Sequence, residues 1–128
     1  MPFGGFRVLL AVVAAVLLLC GLIAGYVRYE ILRLRTAFAE EQVSVFYQMR
    51  DSALASVDPR EAVGFLEYAF NYYPSGTKQP HNSRLDRLVE MVRSDCLRDI
   101  IEDLRKKTGQ DFGIHPTNWY RHYPPPRP

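Results

Sequence analysis

Few side chains in this sequence have a type and spacing suited to chemistry. The three histidines are His81, His115 and His122, and Asp111 stands four residues before His115. Pro116 follows His115, and a metal site needs three or four converging ligands, so no metal or cofactor is expected. Asp86, Glu90, Asp95, Asp99, Glu102 and Asp103 fall mainly on the solvated face of one amphipathic segment. A carboxylate pair for acid–base work must instead sit in a cleft that separates its two pKa values. Ser75-Gly76-Thr77-Lys78 has phosphate-friendly residue types without the spacing of a phosphate-binding loop, which makes it a surface loop. No nucleophile, base and orienting group stand in a recognisable order. The sequence therefore nominates no catalytic residue and reads as a non-enzyme.

Asp111-Phe112-Gly113 spells the metal-binding triplet of protein kinases, but nothing else of a kinase accompanies it, and it reads as a turn. Cys20 lies in an apolar run and Cys96 on the apolar face of a helix. With no CxxC pair there is no disulfide framework, and the redox compartment stays open. Cys96 reads as core and not as a nucleophile. Of the 16 basic residues 13 are arginine, spread along the chain, and the net charge is +2. No basic stripe suggests nucleic acid, and no small-molecule substrate is evident.

The elements that must position these residues begin with a membrane segment. Twenty uncharged residues, Val8 to Val27, lie between Arg7 and Arg28, and twelve of them are Leu, Ile or Val. As a helix they span about 30 Å, the thickness of a bilayer's hydrocarbon core. The twelve favour insertion by about 4 to 7 kcal/mol. A cleavable signal has a shorter apolar core, of about 7–15 residues, and small residues before the cut. Here Leu22 stands three before the only suitable site. Leu18-Leu19-Cys20 resembles a lipoprotein box but has Leu19 where a small residue belongs. The anchor is the expected reading, with the lipid bilayer as first partner. Arg7 and the terminal amine on one side nearly balance Arg28, Arg33 and Arg35 on the other, so the orientation of this single-pass helix is open. Gly21 and Gly25 form a GxxxG pair, with Ala11, Ala14 and Leu18 on roughly the same face, suited to close approach of a second copy or a partner helix.

Residues 1–7 form a tail, 8–27 the membrane helix and 28–56 a stalk helix continuing from it, since no breaker separates Val27 from Ser56. Val27, Ile31, Leu34 and Phe38 have coiled-coil spacing, after which Val45 and Met49 drift toward the period of a helix on a globular core. Residues 57–123 form a small helical domain. Asp58 caps its first helix, Pro59 suits the first helical position, and Glu61 completes a capping-box spacing. Ala62, Phe65, Leu66, Ala69, Phe70 and Tyr73 form the apolar face, and Pro74 closes it. The next helix is capped by Ser83 or Asn82. Leu85, Leu88, Val89, Val92, Cys96, Leu97, Ile100, Ile101 and Leu104 hold its period, and Gly109 stops it. Glu102–Lys106 and Asp103–Lys107 are four-residue pairs with the acid first. His115-Pro116 then opens one short turn that carries Trp119 back onto the domain, where Phe112 and Trp119 are the candidate packing residues. Phe38, Phe46, Phe65 and Phe70 fill the core with Trp119. Pro124 to Pro128 is a disordered proline-rich tail whose spacing permits binding to an aromatic groove.

Residues Leu97 to Tyr123 resemble a segment of bacterial HEAT-type helical-repeat proteins. An amphipathic helix there ends in a TG-x-D-[FL]-G turn, and a following Pro-x-x-Trp packs on the last repeat. The matching residues are Thr108, Gly109, Asp111, Phe112, Gly113, Pro116 and Trp119, about a fifth of the chain, and only one helical hairpin precedes them. Ala62 to Pro74 similarly resembles the second helix of a tetratricopeptide repeat. Both resemblances imply a helical interaction module without an active site. The expected fold is all-α: membrane helix, stalk, antiparallel hairpin and aromatic turn. The expected function is a membrane-anchored interaction or scaffolding module with no catalytic activity of its own. The alternatives are an accessory subunit of a cell-envelope complex assembled mainly through the membrane helix, and a small enzyme gathering polar groups around His81 or His115.

Overall fold

The computed structural model describes residues 3–126, for Phe3 the backbone alone, so Arg127 and Pro128 of the proline-rich tail lie outside the described residues. The helices are α1 (Phe3–Ala55), α2 (Pro59–Asn71), α3 (Arg84–Thr108) and α4 (Pro116–His122). No strand occurs among the described residues, and the fold is all-α. The chain divides into two compact units, one ending at Leu34 and the other starting at Arg35.

The first unit is the apolar part of α1. One helix among the described residues is long and apolar enough to cross a membrane, and its most apolar window has a mean hydropathy of 2.9 with none of it buried. A core helix of a globular protein would be covered.

The second unit begins with the remainder of α1. Ala39, Gln42, Phe46 and Ala53 are buried at helical spacing, while Phe38, Val45 and Met49, the residues the periodicity favours, flank this row half-buried. The large Phe46 ring sets the facing row: it meets Tyr72 edge-on at 5.9 Å and lies 5.0 Å under the Arg93 guanidinium. Ala53, Ala62, Val63, Leu66, Ile100, Ile101, Leu104 and Trp119 form one core cluster, and Ala39, Phe46, Ala69, Val89 and Cys96 a second. The start of α2 thus meets the end of α3 and its end meets the start of α3, an antiparallel hairpin.

Local chemistry explains the helix edges. The Asp58 carboxylate accepts from the Arg60 N–H at 2.9 Å and Pro59 opens α2. Helix α2 stops at Asn71, two residues before the expected Tyr73, because Pro74 disfavours helical geometry in the residue before it. Tyr73 leaves with φ 40° and is exposed. Val63, outside the expected apolar face, is buried because α2 is covered by both α3 and α4. Gly109 ends α3 with φ 66°, where a side chain would be strained. Lys107 pairs with Asp103 at 2.6 Å as its spacing suggests. Its Nζ also donates to the carbonyls of Ala53, Leu54 and Ser56 at 3.1, 3.0 and 2.6 Å, so a cation from α3 serves two carbonyls in the last turn of α1 and one just beyond it.

Candidate functional site

Three residue types that carry hydrolytic chemistry meet where the 72–83 loop folds over the start of α3. Periodicity places Asp86 on the solvated face, yet it is 4 % exposed. Its carboxylate accepts from Ser75 Oγ at 2.5 Å, from the Asn82 N–H at 2.9 Å and from the Gly76 N–H at 3.1 Å. Ser75 Oγ is also 3.0 Å from His81 Nδ1. Gly76 has φ 85°, and a Cβ there would press on the His81 side chain at 3.1 Å, so glycine is required. Helix α3 starts at the same place, with Ser83 Oγ accepting from the Asp86 N–H at 3.2 Å.

Serine, histidine and aspartate are present, but not in the order of a hydrolytic triad. A hydrolytic triad needs histidine between the other two, so that a neutral imidazole takes the hydroxyl proton. Here serine stands in the middle and gives its proton to the carboxylate. Burial works to raise the Asp86 pKa, but the Ser75 hydroxyl, the Asn82 and Gly76 N–H groups and His81 outweigh it and hold the carboxyl below its ordinary value. A carboxylate so stabilised is a weak base. The cluster clamps a loop. Periodicity misses the burial of Asp86, because the covering groups come from Ser75, Gly76 and Asn82 of the preceding loop.

A lowered carboxyl pKa stabilises the folded state above the unfolded aspartate value, near ~3.9, and this contribution is lost as pH falls through the lower folded value. Amide-exchange protection of Gly76 and Asn82 is therefore expected to hold at neutral pH and to fall below about pH 4. In Asp86→Asn that step disappears and protection is low throughout. An unchanged acid step in the variant would assign the effect to other carboxylates.

Other candidate residues are dispersed. Asp111 accepts from the Gly113 N–H at 2.8 Å and from Arg105 Nε at 2.9 Å, which makes the Asp-Phe-Gly triplet a turn. The Gly113 N–H first, then Arg105, holds the Asp111 carboxyl below its ordinary range. His115 caps α4, and His122 stacks on Phe112 with ring centroids 3.8 Å apart. Among the described residues no group of three or more His, Cys, Asp or Glu is placed to hold a metal. Phe112, half-buried, meets the buried Trp119 edge-on at 5.0 Å, and Trp119 Nε1 donates to Gly113 O at 3.0 Å. A Cβ added at Gly21 or Gly25 would meet nothing within 4 Å.

An apolar concavity lies elsewhere. A groove of about 280 Å³ runs between α1 and α3, its walls including Thr36, Ala39, Val43, Leu85, Leu88 and Met91. Leu88 belongs to the expected core face of α3 but is 51 % exposed, and Met91 beside it is 61 % exposed.

No family model matches this chain, and neither a curated protein nor a solved structure is significantly similar to it.

Proposed function

We propose that this chain is a single-pass, membrane-anchored helical interaction module with no catalytic activity of its own. The observation that carries the proposal is the α1–α3 groove, whose lining is almost wholly apolar and which exposes Leu88 and Met91. A soluble surface seldom leaves such side chains together unless something covers them. A trough between two helices, lined by leucine and a pliable methionine, suits an amphipathic partner helix that lays its apolar face into it. The anchor is supported by the twenty uncharged residues from Val8 to Val27, uncovered by the rest of the chain. The resemblance of residues 97–123 to helical-repeat segments is in keeping with an interaction role.

A photocrosslinking side chain at Met91 of the full chain in native membranes tests this. The chain is expected to resist alkaline extraction at its full mass and to form a protein adduct through position 91, not through the exposed Glu102. Leu88→Lys should abolish that adduct. Recovery of a shortened chain in the aqueous fraction, or equal labelling from positions 91 and 102, would sink the proposal. The open Gly21 and Gly25 favour a second reading, an accessory subunit assembled through the membrane helix. That reading is preferred if the adduct survives Leu88→Lys and is lost when both glycines become leucine.

A further inference from the structure

A second concave surface, separate from the α1–α3 groove and independent of what covers that groove, is occupied by the chain itself. Pro125 is half-buried against α2, where a Cβ built on Gly64 would meet its Cβ at 3.6 Å. The cleft here, about 420 Å³, is lined by Met49, Gly64, Phe65 and Tyr68 together with Pro125 and Pro126. An adjoining cleft of about 540 Å³ shares Gly64 and Tyr68 and is bounded by Tyr72 and Tyr73. Tyr68 and Tyr72 stack with centroids 5.4 Å apart, and Tyr73 meets Tyr72 edge-on at 4.7 Å. The two clefts adjoin along α2 at Gly64 and Tyr68, and Pro125 and Pro126 form part of the wall of the first.

Occupant and trough fit each other chemically. Consecutive prolines have their φ angles fixed by the ring and favour an extended polyproline II rod without internal hydrogen bonds. Such a rod has little conformational freedom to lose and docks its ring faces on flat aromatic side chains. On the other side, glycine is a poor residue for the middle of a helix. At position 64 a Cβ would make ordinary contact with Pro125 at 3.6 Å, whereas a longer side chain would meet the proline ring.

We infer that the Gly64–Phe65–Tyr68 trough is a polyproline II-binding groove held in cis by Pro124–Pro126. A tethered ligand acts at an effective concentration of about millimolar, so a contact with a Kd of about 0.1 mM keeps the groove filled about nine-tenths of the time. An outside proline-rich segment must displace the tail to bind, which makes the tail a gate on the site.

The test uses the full chain in detergent micelles and a labelled synthetic peptide of residues 123–128 as the probe. Replacing Pro124, Pro125 and Pro126 by serine is expected to tighten peptide binding at least about tenfold over the unaltered chain. Hydroxyl-radical labelling of Tyr68, already 51 % exposed, should rise in the same variant by less than twofold. Adding Tyr68→Ala, which removes an exposed ring and leaves the core intact, or Gly64→Leu should abolish binding to the serine variant. Equal peptide affinity in the two chains, no binding to either, or unchanged Tyr68 labelling would each overturn the inference.

Discussion

Trp119→Ala is expected to destabilise the helical unit by about 3–5 kcal/mol, the usual cost of emptying a site that a large aromatic ring fills. Trp119 is fully buried, in one cluster with Ala62, Val63, Leu66, Ile100, Ile101 and Leu104. Helix α4 has only 7 residues, and helices shorter than about 12–15 residues are marginal in water without tertiary packing. The indole is thus what holds α4, and the turn before it, against α2 and α3. The Trp119 Nε1 bond to Gly113 O adds a smaller contribution, so Trp119→Phe should lie between the variant and the parent, within about 1–2 kcal/mol of the latter. Thermal melting followed by circular dichroism would show a fall of 10 °C or more for the alanine variant, taking about 4–8 °C per kcal/mol for a unit of this size. Amide exchange should locate the first opening in α4. A loss under about 1 kcal/mol would mean that the cluster closes over the vacancy and that α4 is held by other contacts.

Arg93→Ala should cost about 2–4 kcal/mol, for a different reason: it removes the charged donor of two backbone carbonyls. Arg93 is 7 % exposed on α3 and donates to the carbonyls of both Tyr72 and Tyr73. These carbonyls stand where α2 ends and has no helical partners to offer. The guanidinium also lies over the Phe46 ring and 3.4 Å from the Glu90 carboxylate. Burial lowers the Arg93 pKa and raises that of Glu90, each against the attraction of the other. The ion pair alone therefore does not offset the loss of hydration, and the carbonyl bonds are the stabilising part. Lysine keeps the charge without the planar fork that reaches two acceptors, so Arg93→Lys should recover only part of the loss. Denaturant unfolding of the three chains checks the order. Equal stability of the lysine variant and the parent would show that charge alone matters and would refute the fork.

The helix edges were legible because they depend on neighbours in sequence. Asp58, Ser83, Gly109 and the His115-Pro116 pair each do at their own position what their residue type does elsewhere. The all-α class followed from the same signals and from the periodicity of α3. What stayed hidden were the places where a distant segment decides exposure. Asp86 and Arg93 are polar and buried because the 72–83 loop folds across the first turns of α3 and supplies N–H donors to one and carbonyls to the other. Leu88 is apolar and exposed because no described segment comes down over that side of α3. Hydrophobic periodicity records the polarity of a face and carries no account of which segment returns to cover it. The α1–α3 groove was invisible for that reason. The proline-rich tail reads as disordered from its composition, and the contact of Pro125 with Gly64 required the fold.

The two thiols have a further consequence. Cys96 is almost fully buried in the core, and burial raises its pKa despite the nearby Arg50. Little thiolate forms, so oxidants and disulfide-exchange partners have almost nothing to attack. Cys20, on the apolar helix, has no cysteine neighbour with which to close a bridge. The unit starting at Arg35 holds Cys96 as its one cysteine, so neither a reducing nor an oxidising compartment would close a bridge within it.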